Sequence, residues 1–175
     1  MHQRRALLKD RMRTIEAARL TLEPQTASHA VEMFDVLSDP AIYAYENSPP
    51  RSLEWLRTRF EKLESRQSPD GTQLWLNWVV RLKSGELIGY VQATVHQDGK
   101  AAIAYEFSSA YWGRGLAHEA ADALIRELVQ HYDVSCLTAV AKSANMRSLR
   151  LLERLGFSAL QSEGGETLFV RKMPL

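Results

Sequence analysis

Three consecutive stretches in the middle of the chain alternate apolar and polar residues, and they restrict the fold more than any other feature. The stretches "QLWLNWVVRL", "LIGYVQATVH" and "AAIAYEFS" follow one another and are separated only by "KSGE" and "QDGK". Their two-residue periodicity and their β-branched and aromatic residues predict strands, and connections this short join antiparallel neighbours. The centre of the chain is therefore expected to be a three-stranded antiparallel meander.

Patterns on both sides of this meander predict a mixed α/β fold. "RLTLEP" alternates like a strand and ends at a proline, and Ser28 and Ser52 are candidate N-caps of two amphipathic helices. After the meander we expect a helix over 115–130, the strand "SCLTAVA", a helix that ends at Gly156, and a last strand "ETLFVRKM". The predicted order is β-α-α-β-β-β-α-β-α-β, a mostly antiparallel sheet with flanking helices.

Length and composition set limits on the kind of protein. The 175 residues predict one domain over 15–175, preceded by a basic extension over 1–14 that holds five basic residues against Asp10. The net charge of +1 gives no reason to expect nucleic acid or a membrane as partner. Cys136 is the only cysteine, so an intrachain disulfide is excluded and a cytoplasmic location is expected. A monomer or a homodimer is expected, without a metal.

The stretch "FSSAYWGRGLAHEAADAL" places two glycines around an arginine, between a predicted strand and a predicted helix. The dinucleotide fingerprint fails because His118 occupies its sixth position, and the spacing of a Walker loop is absent. "HEAAD" has Asp122 where a zinc protease needs its second histidine. Two interpretations remain open for the loop alone: a strand-to-helix turn, or backbone N–H groups at a helix N-terminus that bind a phosphate.

Read with its neighbours, "YWGRGLAHEA" resembles the acetyl-CoA loop of the GNAT acetyltransferase superfamily, whose pattern is Q/R-x-x-G-x-G/A. Trp112 stands at the Q/R position, and Gly115 and Ala117 fit the rest of the pattern. A tryptophan there is a departure from the superfamily, but it is usual in the RimJ/RimL-like branch (ribosomal-protein N-terminal acetyltransferases). That branch also has a sequence similar to "RLTLEP" upstream of the loop. Downstream it has an N-x-x-S motif, matched here by Asn145 and Ser148, and an "LGF" motif, matched here in "ERLGF". The resemblance covers Ile15 to Leu175.

The resemblance implies where acetyl-CoA binds. Pantetheine would enter a gap between "IAYEFS" and "CLTAVA" and pair with backbone near Phe107 and Ser108, and the pyrophosphate would lie on the glycine loop. The residues so implied for the cofactor are Phe107, Ser108, Trp112, Gly113, Arg114, Gly115, Leu116, Ala117 and Asn145. Asn145 has a second interpretation, as the N-cap of the helix that follows it.

The resemblance also implies catalytic residues. Ser148 matches the position of a proton donor to the leaving sulfur, and Glu106 is the candidate base. If Tyr105 and Phe107 face the acceptor, strand alternation directs Glu106 to the other face, which counts against this role. Tyr45, in the connection between the first two helices, is a candidate substrate contact.

The expected function is therefore acetyl-CoA-dependent N-acetylation of a primary amine by direct attack in a ternary complex. A protein N-terminus, a small amine or an aminoglycoside-like compound are all possible acceptors at this point. A non-catalytic CoA-binding sensor is the alternative from another class, because the base is in doubt. A nucleotide- or NAD-binding enzyme is a third possibility that the failed fingerprint disfavours.

Overall fold

The three central strands form the meander that the sequence predicts, and they lie inside an eight-stranded sheet. The computed structural model describes residues 12–45 and 47–174. The strands are β1 (Ile15–Glu16), β2 (Leu20–Pro24), β3 (Leu74–Leu82), β4 (Leu87–Val95), β5 (Lys100–Phe107), β6 (Cys136–Lys142), β7 (Ser158–Glu163) and β8 (Glu166–Lys172). Their order across the sheet is β1-β2-β3-β4-β5-β6-β8-β7. The pairing of β5 with β6 is parallel, and the other described neighbours pair antiparallel.

Within the described residues, four α-helices flank this sheet: α1 (Ala30–Leu37), α2 (Leu53–Leu63), α3 (Leu116–His131) and α4 (Met146–Arg154). Ser52 caps α2 as predicted, because its hydroxyl accepts a hydrogen bond of 3.1 Å from the Trp55 N–H. The prediction for Ser28 was wrong: it lies inside a 3-10 turn (Ala27–His29), and α1 begins after that turn. Gly156, with φ of 81°, follows α4 and ends it as predicted.

Alternation along the strands divides the core into two layers. Trp78 packs in the larger layer, between the sheet and helices α3 and α4, whereas its neighbour Val79 packs in the smaller layer against α1 and α2. The larger layer includes Leu124 of α3 and Leu152 of α4, both nearly fully buried. The sheet is therefore covered on both faces, and residues that are adjacent in a strand face different helices.

Two strands are absent from the predicted order. β1 has only two residues and pairs with β2. Every residue of β7, "SALQSE", is exposed, so the segment has no apolar alternation from which a strand could be predicted. It forms as an edge strand because a turn at Gly164 and Gly165, both with positive φ, returns the chain as β8.

The start of the described chain packs on the sheet and on α3. Met12 contacts the larger core layer, and the Arg13 guanidinium lies 2.9 Å from the buried Glu127 carboxylate. The Trp78 indole N–H donates to the Arg13 carbonyl. Residues 1–11 of the predicted basic extension lie outside the described residues. No helix in the described ranges has both the length and the apolar character needed to cross a membrane.

Candidate active site

The site is built around the point at which β5 and β6 separate. These strands pair only over Lys100–Ala102 and Cys136–Thr138, and the divergence that the resemblance implies begins after that. The Ser108 N–H donates to the Ile88 carbonyl of β4. In an antiparallel pair only every second residue forms hydrogen bonds with the neighbouring strand, so the backbone groups of Tyr105 and Phe107 point away from β4 and into the gap. A cavity of about 630 Å³ passes this gap and is lined from both faces of the sheet.

The glycine loop forms the entrance to α3. Gly113 and Gly115 have φ of 73° and 75°, in the left-handed region that favours glycine. Gly115 is the N-cap of α3 and offers no side chain to its first N–H groups, which belong to Leu116 and Ala117. A Cβ at Gly113 would meet nothing within 4 Å, so the loop is open to an approaching group. Unpaired N–H groups and the helix dipole together favour an anion here.

Arg19 supports this loop from behind. Its guanidinium donates to the Arg114 carbonyl at 2.9 Å and to the Glu119 carboxylate at 2.6 Å, and its own backbone N–H donates to Glu119 at 2.7 Å. Burial acts to raise the pKa of Glu119, but the hydrogen bonds from Arg19 outweigh it and lower that pKa. The Arg114 guanidinium stacks over the Tyr111 ring. The role of Arg19 was not predicted, although it is the first residue of "RLTLEP".

Trp112 connects the loop to β5 and to α4. Its indole N–H donates to the Phe107 carbonyl at 2.8 Å, and the Arg147 guanidinium lies 3.6 Å from its ring centroid. The Phe107 carbonyl and the Ser108 N–H are thus both engaged within the protein. The Phe107 N–H also points into the gap, and it is the group of this pair of residues that we assign to pantetheine below.

Asn145 and Ser148 lie at the start of α4, across the gap from β5. The Asn145 side chain accepts a hydrogen bond of 3.2 Å from the Ser148 N–H, which makes it the N-cap of the helix. The Ser148 hydroxyl lies 2.9 Å from the Tyr105 hydroxyl. Burial raises the pKa of Tyr105 to about 12, so the phenol keeps its proton at neutral pH. Tyr105 was not predicted as a site residue; its position two residues before Phe107, on the same face of the strand, was the available signal.

Glu106 lies on the opposite face, as strand alternation requires. There the Asn47 amide donates to its carboxylate at 3.0 Å, and Tyr90 is its partner residue on β4. Burial, and then the charge and hydrogen bonding of Glu106, raise the pKa of Tyr90 well above its usual value. Tyr43 and the half-exposed Tyr45 line the same part of the cavity. Glu106 therefore faces the α1 and α2 side, opposite Tyr105 and Ser148.

Three carboxamide residues also line this side, Gln25, Asn77 and Gln92. They were missed because they come from three separate strands or strand ends. Asn77 and Gln92 did carry a signal, as polar residues inside otherwise apolar strands. Within residues 12–45 and 47–174, no three His, Cys, Asp or Glu side chains come together in a way that could hold a metal ion.

Comparisons with known proteins show the family of this chain. Residues 19–158 match the family model of the acetyltransferase (GNAT) domain. A curated relative, an uncharacterized N-acetyltransferase p20 from Bacillus licheniformis, is 27% identical over 156 residues, which cover 87% of this chain and 85% of the relative.

Solved structures of similar fold include two ribosomal-protein acetyltransferases. RimL, a ribosomal L7/L12 alpha-N-protein acetyltransferase, has a TM-score of 0.77 at 17% identity, covering 92% of this chain and 94% of its own. A second crystal structure of RimL is a complex with coenzyme A, with a TM-score of 0.75 at 15% identity over 92% and 98% of the two chains. The ribosomal-protein-S5-alanine acetyltransferase from Vibrio fischeri has a TM-score of 0.74 at 19% identity, over 92% and 97%.

The fold and the family model thus both indicate an acetyltransferase of the GNAT family. The likeness to RimL and to the Vibrio fischeri enzyme shows a shared fold, consistent with the RimJ/RimL-like branch. The family match covers most of the chain, from Arg19, just before β2, to Ser158, the first residue of β7. This protein belongs to the GNAT acetyltransferase family and is an N-acetyltransferase.

Proposed function

We propose that this protein transfers the acetyl group of acetyl-CoA to a primary amine, and that the two substrates enter from opposite faces of the sheet. One observation carries the proposal: a single cavity joins the α3 N-terminus on one face to Glu106 on the other, through the gap between β5 and β6. The joining of these two faces lets an amine on one side reach a thioester on the other.

The residues on the α3 side fit acetyl-CoA. The N–H groups from Gly113 to Ala117 would hold the pyrophosphate, because the positive φ of the glycines keeps the backbone uncovered. The Phe107 N–H would pair with the pantetheine arm, like a short added strand. Acetyl-CoA supplies a thioester whose carbonyl carbon is open to attack by an amine.

The residues on the other face would prepare the amine. An α-amino group has a reference pKa of about 8 and a lysine amine one of about 10.4, so either is mostly charged at neutral pH. The Glu106 carboxylate would first accept one proton from the ammonium group and pass it to solvent, which leaves a neutral amine whose lone pair forms the N–C bond. It would then accept the second proton, which the nitrogen loses as it becomes the amide. Asn47 holds this carboxylate in place through its 3.0 Å hydrogen bond.

Tyr105 and Ser148 would complete the proton balance. As the C–S bond breaks, the sulfur needs a proton, and the Tyr105 hydroxyl carries one because burial raises its pKa to about 12. The Tyr105 phenolate would then regain a proton from solvent. The 2.9 Å contact lets Ser148 either orient this phenol or relay its proton. Cleft-facing backbone N–H groups of β5 would stabilise the charge that develops on the carbonyl oxygen.

The direct test is to incubate the protein with acetyl-CoA and a panel of amines while following free thiol. The panel would contain a peptide with a free N-terminus, small aliphatic amines and an aminoglycoside. Amine-dependent thiol release is expected, because transfer converts the thioester to free CoA thiol. CoA binding without thiol release for any amine would favour the sensor function instead.

A variant of the loop tests the assignment of the pyrophosphate. Gly115→Val should weaken acetyl-CoA binding about tenfold or more, since a hydrogen bond to a charged group contributes about 1.5–3 kcal/mol. Gly164→Val is the matched control, because its φ is also positive and its site is open but lies in the β7–β8 turn. Unchanged affinity of Gly115→Val, measured by calorimetry, would contradict the loop assignment.

A further inference from the structure

Three arginines contact the glycine loop or its neighbours, and among them only Arg147 lines the cavity. Arg19 is paired with Glu119 behind the loop. The guanidinium carbon of Arg114 lies 5.5 Å from the centroid of the Tyr111 ring, and Arg114 does not line the cavity. Arg147, from the first turn of α4, does line it. The arginine inside the loop is therefore not the one that faces the cavity.

Arg147 is held beside the loop by contact with Trp112. Its guanidinium carbon lies 3.6 Å from the centroid of the Trp112 ring. The ring itself is fixed, because its indole N–H donates to the Phe107 carbonyl at 2.8 Å. Trp112 immediately precedes Gly113, so the guanidinium lies next to the start of the loop. Contact with a ring uses the face of a guanidinium and leaves the N–H groups at its edge free to donate.

These N–H groups have no acceptor within residues 12–45 and 47–174, neither a carboxylate nor a carbonyl. On the α3 and α4 side, the basic residues that line the cavity are His118, Arg147 and Arg154. Among the described residues that line the cavity, the one carboxylate is Glu106, which lies on the other face of the sheet. The α3 and α4 side therefore has an excess of positive charge, which attracts an anion.

The place of Arg147 in α4 does not suit the helix. Asn145 is the N-cap, so Arg147 is the second residue of the helix, and the first turn contains no acidic residue. A helix N-terminus carries partial positive charge, so a cation there lowers the stability of the helix. A bound anion would replace this repulsion with attraction. Local rules of this kind are broken most often at functional sites.

The pyrophosphate of acetyl-CoA is the anion whose charge this arginine would balance. Each phosphorus carries one negative charge, whereas the N-terminus of α3 offers the equivalent of about half a positive charge. The backbone N–H groups of the loop donate hydrogen bonds but add no formal charge. A guanidinium supplies a full charge and can donate two N–H groups to one phosphate.

We infer that Arg147 binds the pyrophosphate of acetyl-CoA and makes the protein select CoA thioesters over pantetheine thioesters that lack this group. Trp112 is the positioning residue that holds the guanidinium at the loop. The inference rests on the proposed function, because it takes the glycine loop to be the pyrophosphate site.

The assignment is tested by calorimetric titration with CoA and with dephospho-CoA, which keeps the pyrophosphate but lacks the 3′-phosphate. Arg147→Gln should weaken the binding of both ligands about tenfold or more, as for the loss of a hydrogen bond to a charged group. Arg150→Gln is the matched control: it removes the same charge one turn further along α4, outside the cavity lining, and should leave both affinities unchanged. If Arg147→Gln binds dephospho-CoA as tightly as wild type does, the pyrophosphate assignment is wrong.

Two measurements separate the charge of Arg147 from a structural role. Arg147→Lys keeps the charge, so it should bind CoA at least about threefold more tightly than Arg147→Gln does. Raising sodium chloride from about 0.05 M to about 0.5 M should weaken wild-type binding more than binding by Arg147→Gln, because salt screens the attraction that the variant lacks. Equal affinities of the lysine and glutamine variants, or the same salt dependence in wild type and Arg147→Gln, would overturn the inference.

The same titration compares Arg147 with the arginine of the loop. Arg114→Gln keeps the backbone N–H groups and should weaken CoA binding less than Arg147→Gln does. A larger loss for Arg114→Gln would assign the charge to Arg114 and contradict the inference.

The positioning role of Trp112 is tested through its coupling to Arg147. Trp112→Leu removes the ring under the guanidinium, so it should weaken CoA binding by a larger factor in wild type than in Arg147→Gln. Equal factors in the two backgrounds would show that Trp112 does not act through Arg147.

Donor selection is measured by acetyl transfer. The ratio of kcat/KM for acetyl-CoA over S-acetylpantetheine should fall about tenfold or more in Arg147→Gln, and kcat/KM for S-acetylpantetheine should keep its wild-type value. An unchanged ratio in a variant that still transfers acetyl groups would overturn the inference. If no amine accepts the acetyl group, the transfer function fails, and the calorimetric comparison still decides whether Arg147 binds the pyrophosphate.

Discussion

The two faces of the sheet meet at the same gap but are built in different ways. On the α3 face, the polar groups are mostly backbone N–H groups fixed by two left-handed glycines, and Arg19, Trp112 and Asn145 are each held by hydrogen bonds within the protein. On the α1 face, the polar groups are side chains from strands and loops far apart in sequence. There Gln25 keeps a buried donor that no described residue pairs.

Because of this difference, substitutions are expected to have different effects on the two faces. The glycine loop of the α3 face is one continuous stretch of chain, so a substitution there alters backbone geometry and with it acetyl-CoA binding. The α1 face depends on single side chains that project from a common sheet, so its recognition chemistry can change without moving the loop. We therefore expect variants on the two faces to separate acceptor chemistry from acetyl-CoA affinity.

The largest effect is expected at Glu106. Glu106→Gln should lower kcat by about 10²–10⁴-fold, the usual contribution of a positioned acid or base, because the amide cannot take the ammonium proton. Acetyl-CoA affinity should not change, since Glu106 faces away from α3. Steady-state kinetics and calorimetry on the same preparation measure both quantities.

Tyr105→Phe is the matched variant on the opposite face of the same strand. It should lower kcat in a similar way, because it removes the proton donor. The double variant Tyr105→Phe, Ser148→Ala should have nearly the same kcat as Tyr105→Phe alone, because the two hydroxyls act through one contact. A Glu106→Gln protein with wild-type kcat and a weakened affinity for acetyl-CoA would contradict the separation of the faces.

A smaller effect is expected for Arg19, and it should change acetyl-CoA affinity and not catalysis. Arg19→Ala removes the hydrogen bonds to the Arg114 carbonyl and to Glu119, so the loop loses its support. Acetyl-CoA affinity should fall by about threefold to tenfold, as for the loss of about 1 kcal/mol, and the KM for the amine should not change. Arg126→Ala, which breaks the Asp122 pair on the solvent side of the same helix, is the control. Equal affinities of Arg19→Ala and Arg126→Ala would show that the loop does not need this support.

The same contrast explains what the sequence could predict. The meander and the glycine loop follow from local periodicity and from a contiguous motif, and the gap between the two strands was implied by the family resemblance; the structure confirms the fold. The motif indicated the loop because its residues lie next to one another in the chain. Strand β7 escaped prediction because its pairing with β8, and not an apolar pattern, makes it a strand.

The acceptor side could not be predicted in this way. Whether Gln25, Asn77 and Gln92 meet depends on the register of three strands, and register is set by packing across the whole sheet. Alternation did predict that Glu106 and Phe107 face opposite ways. It could not show that the gap between β5 and β6 joins the two faces, because that depends on how far the parallel pairing extends.

The smallest effect is a pH dependence of the Arg19–Glu119 pair. The pKa of Glu119 is lower in the folded protein than its usual value, mainly because the hydrogen bonds from Arg19 outweigh burial. A depressed carboxylate pKa contributes stability above the unfolded pKa of about 4.3, and that stability is lost as the pH falls through the folded pKa. Because Arg19 is half exposed, the pair contributes less than about 1 kcal/mol. Wild type should therefore melt at most about 2–4 °C above Glu119→Gln at pH 7, and this difference should shrink as the pH falls below the unfolded pKa of about 4.3. A difference that stays constant from pH 7 to pH 3.5 would show that the charge of Glu119 does not hold the loop.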